Sequence, residues 1–253
     1  MNTTYKILYF GGNDSIKSII GLNELLKRFD KEQLYVVFNT SKKTTSKPSS
    51  KARLYNALFD NFKVKQPYTN LSALCKAENL NFLETDAPRN FEISSAIKDF
   101  APDFLISNGW GWIINDQWIE LPKIKALNCH SSLLPEYKGP SVYKHVLMNF
   151  ESRTGLTVHE LTSKIDEGVI YAQKEITINK KEVPSSLLYR LAQASAPVII
   201  DAIENVIADK PIKTKSNKGF YVSKVSPLVY AKNRVKNRIK MLIGRNPTKY
   251  CIK

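Results

Sequence analysis

The 253-residue sequence predicts an α/β protein: a twisted, mostly parallel sheet with helices on both faces, a Rossmann-like arrangement. Three observations predict it. Short apolar runs rich in β-branched and aromatic residues recur along the chain, stretches with helical spacing separate them, and turn residues sit where the runs finish.

In chain order, YKILYF (5–10) reads as a strand, GGND (11–14) as a turn and SIKSIIGLNELLKRF (15–29) as a helix. LYVVF (34–38) is a second strand. The polar stretch 39–50 reads as a mobile loop, followed by helical patterns over 51–62 and 70–78. DFLIS (103–107) and IKALNCH (124–130) are strands, and PSVYKHVLMNF (140–150) is a helix. GLTVHEL (155–161) and VIYAQKEITI (169–178) are strands. A long helix covers 185–208, with Pro197 as a kink candidate. The expected division is a main domain over 1–180 and an extension over 181–253 made of the long helix, a short strand and a basic tail.

Composition narrows the function classes. Hydrophobic residues make up 43% of the chain, enough for a sizeable core, and no run of about 18 apolar residues marks a membrane span. The N-terminus passes directly into a strand without a cleavage site, so a cytoplasmic protein is expected. Cys75, Cys129 and Cys251 lie far apart, which argues against a disulfide frame or a zinc site, and no metal is expected. The net charge of +15 invites acidic partners. Two stretches concentrate it: SKKTTSKPSSKAR (41–53), and 232–253, with eight Lys or Arg and no Asp or Glu. Val229, Val235, Ile239, Leu242 and Ile243 partly fit one helix face there. That tail packs on the domain, forms part of a homodimer or rests on an anionic membrane.

In open parallel sheets ligands bind beyond the carboxyl ends of the strands, which singles out three turns. Gly11, Gly12 and Asn13 lie between a strand and a helix, where backbone N–H groups can turn toward an anion; the dinucleotide fingerprint and the Walker lysine are absent. In SNGWGWII (107–114) tryptophans beside glycines either form a flat apolar slot or pack under a helix. In LNCHSSLLP (127–135) side chains alternate, so Asn128 and His130 share a face and Cys129 points to the other. Asn offers a donor for a developing oxyanion and His exchanges a proton near neutral pH. Asp166, in a loop before a glycine, is the candidate partner of His130. His159, on a strand leading toward Asp166, either lines the site or is a histidine at the edge of the core, and His145 reads as surface or packing.

Asn128-x-His130, the Ser132-Leu133-Leu134-Pro135 turn, Gly139, and Asp166 with Gly168 together resemble the folate-dependent formyltransferase family. The resemblance is close over 100–178 and looser over 5–30. It implies the formyltransferase fold and transfer of a formyl group from 10-formyltetrahydrofolate to a primary amine. In it Asn128 donates to the developing oxyanion, His130 stabilises that charge or takes the amine's proton, and Asp166 pairs with His130. It further implies that Trp112, Ile113 and Ile114 line a slot for the folate pterin. Thr162, Ser163, Lys164 and Ile165 close its other side, and Gly11, Gly12 and Asn13 hold a substrate phosphate.

Three acceptors compete within that family. A methionyl-tRNA enzyme needs an extra C-terminal β-barrel, whereas about 75 residues follow the last strand here. The ribonucleotide enzyme is closer to a bare catalytic domain. The chain's length and LPEYKGP (134–140) resemble the sugar branch, so the expected acceptor is a nucleotide-linked amino sugar, a dTDP-amino-dideoxyhexose used for surface polysaccharide. Folate and the nucleotide sugar are the expected partners, and no nucleic acid. The rival from another class is a basic nucleotide- or RNA-binding protein that has kept the fold and lost the chemistry.

Overall fold

The computed structural model describes residues 5–40, 50–213 and 219–248, the side chains of residues 51 and 52 excepted. Most of the loop expected at 39–50, most of the first basic stretch, and Cys251 lie outside the described residues.

Seven strands form one sheet: β1 (Ile7–Gly11), β2 (Leu34–Asn39), β3 (Asn81–Thr85), β4 (Phe104–Ser107), β5 (Lys125–His130), β6 (Arg153–Glu160) and β7 (Ile170–Thr177). The order is β3-β2-β1-β4-β5-β6-β7. The pairs from β3 to β5 are parallel, and β5–β6 and β6–β7 are antiparallel. The twisted, mostly parallel sheet anticipated from the alternation of runs is thus the one observed.

Burial on both sides explains the unbroken apolar runs of β1, β2 and β4. Ile7 and Tyr9 of β1 enter one core, beneath α1 (Ile16–Leu25), α3 (Leu71–Ala77) and α7 (Pro184–Ile207). Leu8 and Phe10 enter the other, with Ile97 of α4 (Ser95–Phe100) and Trp118 of α5 (Asp116–Ile119). The remaining helices are α2 (Ser50–Phe59), α6 (Val142–Met148) and α8 (Pro227–Leu242). Side-chain oxygens cap α1 and α3: Ser15 accepts from the Ser18 N–H and Asn70 from the Ala73 N–H.

β3, α4 and α5 had no counterpart in the sequence reading. β3 is an edge strand with a mixed burial pattern, so no two-sided apolar run marks it, and α5 has four residues. α7 continues through Pro197 and lies against α1 and the β5–β7 end of the sheet, burying Leu187, Leu191, Ile199 and Ile203. Beyond α7, where a short strand was expected, the described residues hold a single bridge between Tyr221 and Lys138. Lys138 exchanges backbone hydrogen bonds with Phe220 and Val222 at that bridge.

The contact between α1 and α7 closes over a buried polar network. The Asn108 amide donates to the Tyr9 hydroxyl (3.0 Å) and to Ser195 Oγ (3.3 Å), and Tyr9 donates to the Ser18 carbonyl (2.9 Å). A Cβ on Gly21 would stand 2.2 Å from Asn108 Nδ2 and 2.8 Å from Ser195 Oγ. Gly21→Ala is therefore expected to destabilise the fold by about 1–3 kcal/mol, although alanine is the better helix former. Urea denaturation measures this, and a gain in stability would contradict the packing described.

Candidate active site

The sheet's direction of winding reverses between β1 and β4, and the carboxyl ends of β1, β4 and β5 open onto one edge. The Gly12 N–H donates to the Gly109 carbonyl (3.2 Å), tying the turn after β1 to the turn after β4.

On β5, Leu127 and Cys129 enter the core beneath α1 and α7, whereas Ala126 enters the opposite one. Alternation therefore puts Asn128 and His130 on the Ala126 face at the strand's end. The turn that follows is held in place. Ser132 Oγ donates to the Glu136 and Tyr137 carbonyls, the Leu134 N–H donates to Thr157 Oγ1 (3.0 Å), and the Gln173 amide donates to the Leu134 carbonyl (2.7 Å). This brings Tyr137 and Gly139 back beside the strand.

Four side chains converge there. His130 Nδ1 lies 3.5 Å from Asp166 Oδ1, and His159 Nε2 lies 3.3 Å from the same oxygen. Asn128 Nδ2 is 3.2 Å from His159 Nε2. The outer nitrogens of both rings meet carbonyls: His130 Nε2 faces Tyr137 O at 2.9 Å, and His159 Nδ1 faces Glu160 O at 2.8 Å. A carbonyl only accepts, so when His130 is neutral its proton sits on Nε2. His130 Nδ1 is then left as an acceptor. His159 Nε2 stands between the Asn128 amide and the Asp166 carboxylate, and His130 Nδ1 faces that carboxylate without a proton of its own.

Asp166 occupies a left-handed backbone conformation (φ 52°) and is held from several sides. The Gly139 N–H donates to its Oδ2 at 2.7 Å. Next to it, Glu167 receives Lys138 Nζ (2.7 Å) and the Tyr221 hydroxyl (2.8 Å), and Tyr221 also donates to the Ile165 carbonyl (3.1 Å). The segment after α7 thus anchors the loop that carries the acid.

Burial sets the electrostatics. It pushes the His130 pKa below the usual histidine range, and Lys17 and His159 push in the same direction; the Asp166 charge and the Tyr137 carbonyl only partly oppose them. His130 is therefore neutral at pH 7. Burial alone would raise the Asp166 carboxyl, but as pH falls the charge of protonated His130, a hydrogen bond from His159 and the Gly139 N–H outweigh it and hold the pKa at about 2. Behind the strand, buried Lys17 of α1 donates to the Cys129 carbonyl, and burial pushes its pKa down.

The structure puts Asp166 beside His130, with Asn128 joined to the pair through His159. Of two further residues in or against this cluster, the sequence left His159 open between lining the site and the core edge, and did not single out Lys17. His159 is buried to 1% exposure, and its place follows from the β5–β6 register, which sets it opposite Asn128. Lys17 carries no signal that separates it from a surface lysine on a helix.

Trp112 packs against Trp110 and lines a groove of about 430 Å³ with Asn39, Thr40, Arg89 and Asn90. Ile114 is buried in the core beside Trp118, and Ile113 is exposed. Thr162, Ser163, Lys164 and Ile165 form the exposed loop leading into Asp166. Gly11, Gly12 and Asn13 are buried. The Gly12 N–H donates to Ser18 Oγ (3.0 Å) as well as to Gly109, and the Asn13 N–H to Asn39 Oδ1 (3.1 Å), so both serve the fold. Among the described residues no group of three or more His, Cys, Asp or Glu is arranged to hold a metal ion.

The formyl transferase family model matches residues 11–203. A methionyl-tRNA formyltransferase of Thermotoga maritima is 30% identical over 138 residues, 54% of this chain and 44% of that one. The chain spans about half the length of the curated relatives it matches. Among solved structures, WlaRD, a sugar 3N-formyl transferase crystallised with dTDP and 5-N-formyl-THF, superposes with a TM-score of 0.57 at 21% identity, over 91% of this chain and 78% of that one. A phosphoribosylglycinamide formyltransferase of Anaplasma phagocytophilum superposes with a TM-score of 0.60 at 14% identity, over 88% and 100%. The sheet order, the cluster at the end of β5 and a family match across three quarters of the sequence agree: the chain belongs to the formyl transferase family.

Proposed function

We propose that this protein is a folate-dependent N-formyltransferase, which moves a formyl group from 10-formyltetrahydrofolate to the primary amine of a nucleotide-linked amino sugar, a dTDP-amino-dideoxyhexose. The observation that carries the chemical half is the 3.5 Å approach of His130 Nδ1 to Asp166 Oδ1 beside Asn128 at the end of β5.

Transfer makes a C–N bond to the acceptor and breaks the one to the donor, so one proton leaves the amine and one reaches the departing nitrogen. His130 Nδ1 is the acceptor for the first. Protonated there, the ring is a cation against the Asp166 carboxylate, which stabilises it without itself taking the proton. The Asn128 amide has one N–H committed to His159 and the other available for the oxygen of the reacting carbonyl. A neutral amine is a sufficient nucleophile, so no covalent enzyme intermediate is required.

The groove beside Trp112 supports a place for the donor, with the indole against the ring system and Arg89 for a folate carboxylate. Trp112→Ala is expected to raise the donor KM about tenfold while kcat changes less, as loss of partial aromatic burial implies. Initial rates over a range of donor concentrations measure this. An unchanged KM would remove Trp112 from the slot.

For the acceptor, the sugar reading draws on the likeness to WlaRD, which covers nearly the whole chain. The second reading, methionyl-tRNA, draws on the curated relatives and the charge of +15. The experiment is a panel of dTDP-amino sugars, glycinamide ribonucleotide and charged initiator tRNA, each offered with 10-formyltetrahydrofolate while donor absorbance is followed. Turnover with a sugar is expected; turnover with tRNA alone would overturn the choice.

A further inference from the structure

α8 turns an apolar stripe away from the body of the protein. Tyr230 and Asn237, two turns apart, are its buried residues. The Asn237 amide donates to the Met148 and Thr248 carbonyls (both 2.9 Å), its Oδ1 accepts from the Thr248 N–H (2.8 Å), and Arg234 lies over the Phe150 ring at 4.1 Å. These contacts fix the rotation of the helix. Leu228, Val235, Ile239, Leu242 and Ile243 then recur at helical spacing on the side opposite Tyr230 and Asn237. Leu228 and Leu242 are each 79% exposed and Ile239 is 54% exposed. Solvent does not favour such a stripe on a helix already docked by its other face.

The flanks are uniformly cationic. Lys232 and Lys236 border the stripe on one side, Arg238 borders it on the other and Arg245 follows the helix; residues 227–248 include no Asp or Glu. Leu, Ile and Val in the centre, Lys and Arg at the margins and no acid are the pattern of a helix lying in the boundary between headgroups and acyl chains. We propose that α8 is a docking surface for an anionic lipid bilayer, its stripe entering the interfacial layer and its lysines and arginines meeting the headgroups. Charge argues against the other occupants. A second copy would set cation against cation with no acidic residue to meet them. Single-stranded RNA rewards stacking rings beside the cations, and this stripe contains no aromatic residue.

The test is co-sedimentation of the full chain with vesicles of pure phosphatidylcholine or of equal parts phosphatidylcholine and phosphatidylglycerol, at low and high salt. Binding to the anionic vesicles alone, weakened by salt, is expected. Ile239→Glu with Leu242→Glu is expected to abolish it, and Lys232→Ala with Lys236→Ala to lower the partition on the order of 30-fold. All four side chains are exposed or at the stripe's margin, so an unchanged melting temperature is expected for both variants. Three results would overturn the proposal: no preference for the anionic vesicles; undiminished binding by the glutamate variant; or no vesicle binding together with a dimer, or an RNA complex, that the same substitutions dissolve.

Discussion

His130→Ala is expected to lower kcat by on the order of 10²–10⁴-fold while donor affinity stays near that of the unaltered protein, because the ring's part is to take a proton during transfer. The argument rests on the geometry of the pair. His130 Nδ1 stands 3.5 Å from Asp166 Oδ1, and its other nitrogen is engaged with the Tyr137 carbonyl. Asp166→Asn keeps the shape and removes the charge that balances the imidazolium, so a loss of similar order is expected. The two act as one unit, so the double variant should lose little more than the worse single one. Steady-state rates of the three variants check this; additive losses would mean that the groups act separately.

Asn128→Ala is expected to cost about 10²–10³-fold in kcat, the usual consequence of removing one oxyanion donor. His159→Ala should follow in weaker form, about tenfold, because His159 sets the orientation of that amide without itself reaching the carbonyl. The pairing of these effects distinguishes a positioning histidine from a core one. A core histidine would lower stability and leave kcat alone, so denaturation and turnover are measured on the same preparations.

How much of this was legible in the sequence depends on the range of the interactions. Asn128 and His130 share a face because strands alternate, and that needs nothing beyond the local pattern. Asp166 is marked by the residues around it. His159 stayed open between the site and the core edge, because the antiparallel register that sets it opposite Asn128 is decided by pairing with a strand thirty residues away. Lys17 reaches the Cys129 carbonyl only because α1 packs behind β5. The buried central strands announced themselves as apolar runs, whereas β3, at the sheet edge, carries the mixed sequence that one-sided burial permits. The stripe on α8 was partly visible from its spacing. That it faces outward follows from Tyr230 and Asn237 taking the inner face, which only the packing decides.

Acid conditions act on the fold through the same cluster. Asp166 titrates near 2 in the folded protein, below its ordinary value of 3.8, so its contribution to stability is present above that ordinary value and is lost as pH falls toward 2. His130, lowered from 6.5, binds its proton more readily when unfolded, so stability also declines as pH drops below the ordinary histidine range.

The most direct test of a buried imidazole–carboxylate pair that handles the amine's proton is the pH dependence of kcat, with Asp166→Asn beside the unaltered protein. Neutral His130 is the working form, so kcat should rise with pH through a pKa below 6.5, and loss of the neighbouring carboxylate should move that limb to still lower pH. A limb above 6.5, or one that stays in place when Asp166 is replaced, would contradict the account.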